Sequence, residues 1–262
     1  GHHRYLQSFP TRRSSDLNLT TPDPKAPGYR EEDVVLGEGD WEIKGKLCFP
    51  EEAFFKGPYP VVLLVSGSGP NDMDASLYST KPFLDLAHGL AERGVATLRY
   101  NKITMENPKL LESMEDTLTV NEEYLPDVQA ALAQLSSNPL VNPGKVFVLG
   151  HSLGGTVLPR IHAKHPQVAG YVFFAAGNAF LGDEVLRQYT YLFGLDGKVD
   201  ADETTAQAQV QADLARMHDM LAGGQAPKGN ILGAPMSYWL DLYRNDPLAA
   251  AARSEEHTSE LQ

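Results

Sequence analysis

Apolar residues along this chain change period several times, and each change marks an element. Tyr29 to Leu36 and Trp41 to Phe49, joined by G-E-G-D, read as a strand pair. Val61 to Val65 is an unbroken apolar run, the pattern of a strand covered on both faces. Pro82 to Arg93 places Phe83, Leu86, Ala87 and Leu90 at helical spacing, and Gly94 offers a stop. Val95 to Tyr100 reads as the next strand. Glu122 to Leu135 is helical, with Val128, Leu132 and Leu135 on one face. A strand at Val146 to Leu149, a helix from Gly154 to about His165 and a buried strand at Val168 to Ala176 follow. Strands alternating with helices predict an α/β fold with a doubly wound, mostly parallel sheet.

After Ala176 the strand pattern ends. Residues 181–244 are largely helical, a length that suits a cap inserted over an active site. Tyr189, Tyr191, Phe193, Tyr238, Trp239 and Tyr243 would either line an acyl pocket or pack the helices together, and packing is the favoured reading. Both ends of the chain differ in kind. Residues 8–17 and 253–262 match translations of two companion short-read sequencing adapters. We therefore expect 1–17 and 253–262 to be tails foreign to the fold, with a proline-rich linker at 18–28. The expected domain plan is a core at 29–180, the cap at 181–244 and a return toward the core at 245–252.

The net charge is −12, and removing both tails leaves it there because they carry four basic and four acidic residues. An acidic chain with no basic cluster argues against a nucleic-acid partner. The single cysteine, Cys48, excludes an intrachain disulfide and reads as a small buried hydrophobe. No apolar run is long enough for a membrane span, and no His, Asp or Glu cluster has the spacing of a metal site. No cofactor is implied. The chain begins with Gly1, so a leader sequence is not legible and the compartment stays open. The oligomeric state stays open too.

The candidate chemistry lies in K-V-F-V-L-G-H-S-L-G-G, residues 145–155. A short apolar run ends in Gly150, and Ser152 follows within G-x-S-x-G. This pattern puts a serine on a sharp strand-to-helix turn, with Gly150 and Gly154 where side chains would meet backbone. Such a turn points to a nucleophilic serine. His151 reads as a neighbour packing beside it; His88, His162, His165 and His218 read as helix-surface or capping residues. Asn71, Asp72 and Asp74 read as loop formers.

Three segments carry a family resemblance: V-V-L-L-V-S-G-S-G-P-N-D-M-D (61–74), V-A-T-L-R-Y-N-K (95–102) and L-G-H-S-L-G-G (149–155). P-M-S-Y-W-L-D-L-Y-R-N-D-P (235–247) adds to them as the exit from the cap. The chain resembles the α/β-hydrolase superfamily, in its dienelactone-hydrolase-like and serine esterase/peptidase branch, over nearly all of residues 29–252. The resemblance implies acyl transfer on a small-molecule ester or acyl substrate, with Ser152 as nucleophile. It implies an oxyanion hole formed by the N–H of Leu153 and by the loop after Val61–Val65. There Ser66-Gly67-Ser68 takes the place of a His-Gly-x loop, which points to the N–H of Ser68. Ser66 departs from the histidine common at that position.

In this superfamily an acid and then a histidine follow later strands. After residue 244 the only histidine is His257, within the adapter-like tail. The chain is therefore expected to lack the last strands of the sheet together with the acid and histidine of its triad, and to turn over little substrate by itself. An esterase, a peptidase or acyltransferase, and a non-catalytic relative all remain compatible with these residues.

Overall fold

The computed structural model describes residues 28–114, 117–177, 179–195, 197–223 and 229–255. The tail expected at 1–17, all of the linker but Gly28, and residues 256–262 fall outside these. The described residues form two compact units, one drawn from 28–113, 121–176 and 247–255, the other from 114–120 and 177–246.

The first unit is built on a six-stranded sheet in the order β1-β2-β4-β3-β5-β6. Its strands are β1 (Tyr29–Leu36), β2 (Ile43–Pro50), β3 (Tyr59–Val65), β4 (Ala96–Tyr100), β5 (Val141–His151) and β6 (Gly170–Phe174). β1 and β2 are antiparallel, β2 is antiparallel to β4, and β4, β3, β5 and β6 run parallel. Trp41 lies in a short 3-10 turn, so β2 starts at Ile43. The central strands bury nearly everything: Val61, Leu63, Val65, Ala96 and Leu98 are fully enclosed. This is the outcome expected for parallel strands covered on both faces.

Helix α1 (Pro82–Ala91) starts with Pro82 in its first turn and buries Phe83, Ala87 and Ala91, one stripe at i, i+4 and i+8. Phe83 packs with Leu64, Ala75 and Leu149, and the two alanines close over Cys48. Burying Phe83 contributes about 2 kcal/mol by area alone. Two short helices follow β4, α2 (Ile103–Glu106) and α3 (Pro108–Glu112). Helix α4 (Val120–Ser137) buries Tyr124, Val128, Ala131 and Leu135. The helix expected over 154–165 is two pieces, α5 (Leu153–Thr156) and α6 (Leu158–Lys164), and Pro159 in the first turn of α6 explains the break. Residues 247–252, expected as the approach to a strand, lie in a helix, α10 (Pro247–Glu255), packed on α6.

One expectation fails plainly. Val168 to Ala176 reads as a buried strand, yet β6 is a sheet edge whose Val172, Phe173 and Phe174 are 45%, 53% and 42% exposed. An apolar run encodes that a strand favours cover; it does not encode what covers it among the described residues.

The second unit is helical: α7 (Leu181–Phe193), α8 (Ala201–Leu221) and α9 (Met236–Arg244). A reciprocal cap opens α8, with Glu203 N–H donating to Asp200 and Asp200 N–H donating to Glu203. Tyr189, Phe193, Tyr238 and Trp239 are buried, with edge-on contacts between Tyr189 and Phe193 and between Phe180 and Trp239; Tyr191 and Tyr243 are exposed. No helix among the described residues is long and apolar enough to cross a membrane.

Candidate active site

Ser152 is the single residue between β5 and α5 and takes φ 54, ψ −124, a conformation costly for any side-chain-bearing residue. Roughly 1–3 kcal/mol of local strain is held there by its surroundings. Ser152 N–H donates to Phe174 O on β6 at 3.0 Å, and its carbonyl accepts from Gly155 and Thr156 at 2.9 and 3.1 Å. The two glycines around it are demanded by contact. A Cβ on Gly150 would lie 2.3 Å from Gly154 O, and one on Gly154 would lie 2.4 Å from Ser66 O. The turn thus closes only with glycine at both positions.

The loop after β3 comes to the same place. A Cβ on Gly67 would lie 3.0 Å from Ser152 Cβ and 3.5 Å from Ser152 Oγ, so the Gly67 backbone rests directly against the serine. Ser68 follows, half-buried. The N–H groups of Ser68 and Leu153 have no hydrogen-bond partner among the described residues. The carbonyls of Gly67, Ser68 and Gly69, by contrast, are tied down. Asn71 Nδ2 donates to Gly67 O, Ser68 O and Gly69 O at 3.2, 2.9 and 3.1 Å, and Thr104 Oγ1 donates to Gly69 O at 3.3 Å. Ser66 Oγ is buried without a partner among the described residues.

Behind the loop sits a buried polar cluster that sequence reasoning did not single out. Lys102, 1% exposed, donates from Nζ to Gly67 O at 2.8 Å, to Tyr124 OH at 3.1 Å and to the Glu123 carboxylate. Tyr124 OH donates to Gly67 O at 2.7 Å. Asp127, one turn along α4 from Glu123, accepts the Ile103 N–H at 3.0 Å. Burial first, and the neighbouring Glu123 carboxylate with it, push the Asp127 carboxyl up to about 7 against the pull of the Ile103 N–H and Lys102. The available signal was an acid pair, Glu123 and Asp127, on the apolar face of α4, together with a lysine directly after a buried strand.

The remaining candidates serve the scaffold. Asp72 Oδ1 accepts the Ser76 N–H at 2.8 Å, and Asp74 pairs with Arg99 and Lys81, each at 2.9 Å. His151 packs edge-on against Phe83 and tilted against Phe174, and burial pushes its pKa down. His88 and His162 are not plain surface residues: His88 stacks on Tyr29 and contacts Glu31, and His162 sets its ring against Tyr171. Folding also brings Glu31, Cys48 and His88 within 4.8 Å of one another, a juxtaposition that sequence spacing cannot show. An Arg99 guanidinium sits on that carboxylate at 2.8 Å, and burial pushes the Cys48 thiol up to about 12. The trio suits an ion pair beside a neutral thiol better than a metal.

A mostly parallel sheet carrying a strained serine at a strand-to-helix turn defines the class as that of the α/β hydrolases. The chain belongs to the alpha/beta hydrolase family, whose sequence profile matches residues 62–259. It is similar to esterase EstD of Thermotoga maritima, 33% identical over 243 residues that make up 92% of this chain and 53% of that protein. The chain thus spans about half the length of this curated relative. Among solved structures it is similar to 2,6-dihydroxy-pseudo-oxynicotine hydrolase (19% identity, 71% of this chain and 48% of that one, TM-score 0.45). It is likewise similar to the alpha/beta hydrolase GrgF from Penicillium sp. sh18 (18% identity, 88% and 67%, TM-score 0.43).

Proposed function

We propose that this chain carries the nucleophile and oxyanion hole of a serine hydrolase that cleaves carboxylic esters. The observation that carries the proposal is Ser152 at φ 54, with the backbone of Gly67 against its side chain. This is a nucleophile elbow facing a glycine-rich loop. Ser152 Oγ attacks the ester carbonyl carbon, and its proton passes to a histidine. The carbonyl oxygen becomes an oxyanion, held by the N–H groups of Leu153 and Ser68. Collapse expels the alcohol, which takes that proton, and water then releases the acid from the acyl-serine by the same steps. The mechanism needs a histidine and an acid to orient it, and neither is assigned among residues 18–252. The similarity to EstD supports an ester as substrate.

Hydrolysis of p-nitrophenyl esters by the full-length protein tests this reading. Ser152→Ala is expected to lower kcat by at least about a thousandfold. Activity that survives the substitution would sink the proposal. Faster turnover of aminoacyl-anilides than of esters would move the assignment to a peptidase.

A further inference from the structure

The three donors on Gly67 O have a consequence for the atom on the other side of the same peptide. The Gly67 carbonyl and the Ser68 N–H belong to one planar unit, and in a trans peptide they point in opposite directions. Lys102 Nζ at 2.8 Å, Tyr124 OH at 2.7 Å and Asn71 Nδ2 at 3.2 Å converge on the oxygen. Lys102 and Tyr124 are each 1% exposed, so the carbonyl faces the interior and the Ser68 N–H is turned away from it. The lysine is itself fixed, lying over the Tyr124 ring at 4.1 Å and bonded to Glu123. A glycine loop left alone would let this peptide flip. An ammonium on the carbonyl also polarises the whole unit and makes its N–H a stronger donor.

We propose that Lys102 and Tyr124 are positioning residues for the esterase reaction, locking and polarising the Gly67–Ser68 peptide so that the Ser68 N–H is held ready for the oxyanion. The proposal rests on the assignment of Ser152 as nucleophile and of Ser68 N–H as donor. Neither side chain touches substrate; both act through one peptide plane. Because the oxyanion exists only in the transition state and intermediates, their loss lowers kcat and leaves ground-state binding alone.

Steady-state hydrolysis of p-nitrophenyl esters by the full-length protein tests the idea with two variants. Tyr124→Phe removes a single hydroxyl. Lys102→Met combined with Glu123→Gln removes the ammonium without leaving a buried carboxylate facing the gap. With removal of a direct oxyanion donor costing about a hundredfold or more, kcat is expected to fall about tenfold in the first variant and up to about a hundredfold in the second. KM is expected to stay within about twofold, and affinity for a trifluoromethyl ketone, whose adduct carries an oxyanion, to fall in step with kcat. A merely structural role would reduce the melting temperature and the folded fraction without separating kcat from KM. Folded Tyr124→Phe with unchanged kcat overturns the positioning role if Ser152→Ala is inactive. If Ser152→Ala stays active, the assignment of the site falls and the positioning role falls with it.

Discussion

Two buried cations, three residues apart in sequence, do different work in this fold. Arg99 on β4 reaches Glu31 on β1 and Asp74 in the loop before α1 at 2.8 and 2.9 Å, and both carboxylates keep contact with water. Lys102, just past the same strand, is enclosed with Glu123, Tyr124 and Asp127 and spends one of its donors on a backbone carbonyl. The arginine's planar fork suits two carboxylates arriving from different elements. The lysine's compact ammonium suits convergence on a single point. The first cluster fastens scaffold to scaffold; the second fastens the scaffold to the peptide beside Ser152. Position along a strand therefore says less about a buried charge than the identity of the atoms it meets.

The contrast can be broken from either side. Lys102→Ala leaves the buried Glu123 carboxylate without its ammonium, and the expected loss is about 3–5 kcal/mol of unfolding free energy, read from urea denaturation. Arg99→Ala is expected to cost less, about 2 kcal/mol, because water can reach Glu31 and Asp74 once the guanidinium has gone. Equal losses would remove the distinction between the two clusters. Arg99→Ala is also expected to leave kcat on p-nitrophenyl esters within about threefold of the wild type in folded protein, since nothing in its cluster bonds to the Ser66–Gly69 loop.

Local features of this molecule were legible in the sequence and convergent ones were not. The Ser152 turn could be read because its requirements are contiguous: an apolar strand, Gly150 and Gly154 where backbone collides, and a helix beyond. The strand order, by contrast, is set by packing, and the burial expected of β6 failed because an apolar run does not name its neighbour. The Lys102 cluster was invisible for a related reason. Gly67 lies 35 residues from Lys102 and 57 from Tyr124, and each residue alone reads as an ordinary helix or loop position. The family resemblance drew attention to R-Y-N-K without giving its lysine a task, which only the fold supplies.

A further expected effect separates the clusters by the sign of their pH dependence. In the arginine cluster, burial alone would raise the Asp74 and Glu31 pKa values. The bonds from Lys81 and Arg99 to Asp74, and from Arg99 and His88 to Glu31, outweigh it and hold both below the ordinary range. Their contribution is present above the unfolded pKa near 4 and is lost as pH falls through the folded values. Asp127 behaves in the opposite way. Its folded pKa of about 7 lies above the ordinary 3.8, so the folded state binds the extra proton between those values. Stability from this group is complete below about pH 4 and falls as pH rises toward 7, with no further change above that. Lys102, Glu123 and the buried Tyr100 face the same carboxyl. Asp127→Asn keeps an acceptor for the Ile103 N–H while removing the ionisation. The variant is expected to unfold at higher urea than the wild type at pH 8, by on the order of 2 kcal/mol, with the gain vanishing at pH 4. A gain of the same size at both pH values would mean that the carboxyl ionises as freely in the fold as in the unfolded chain.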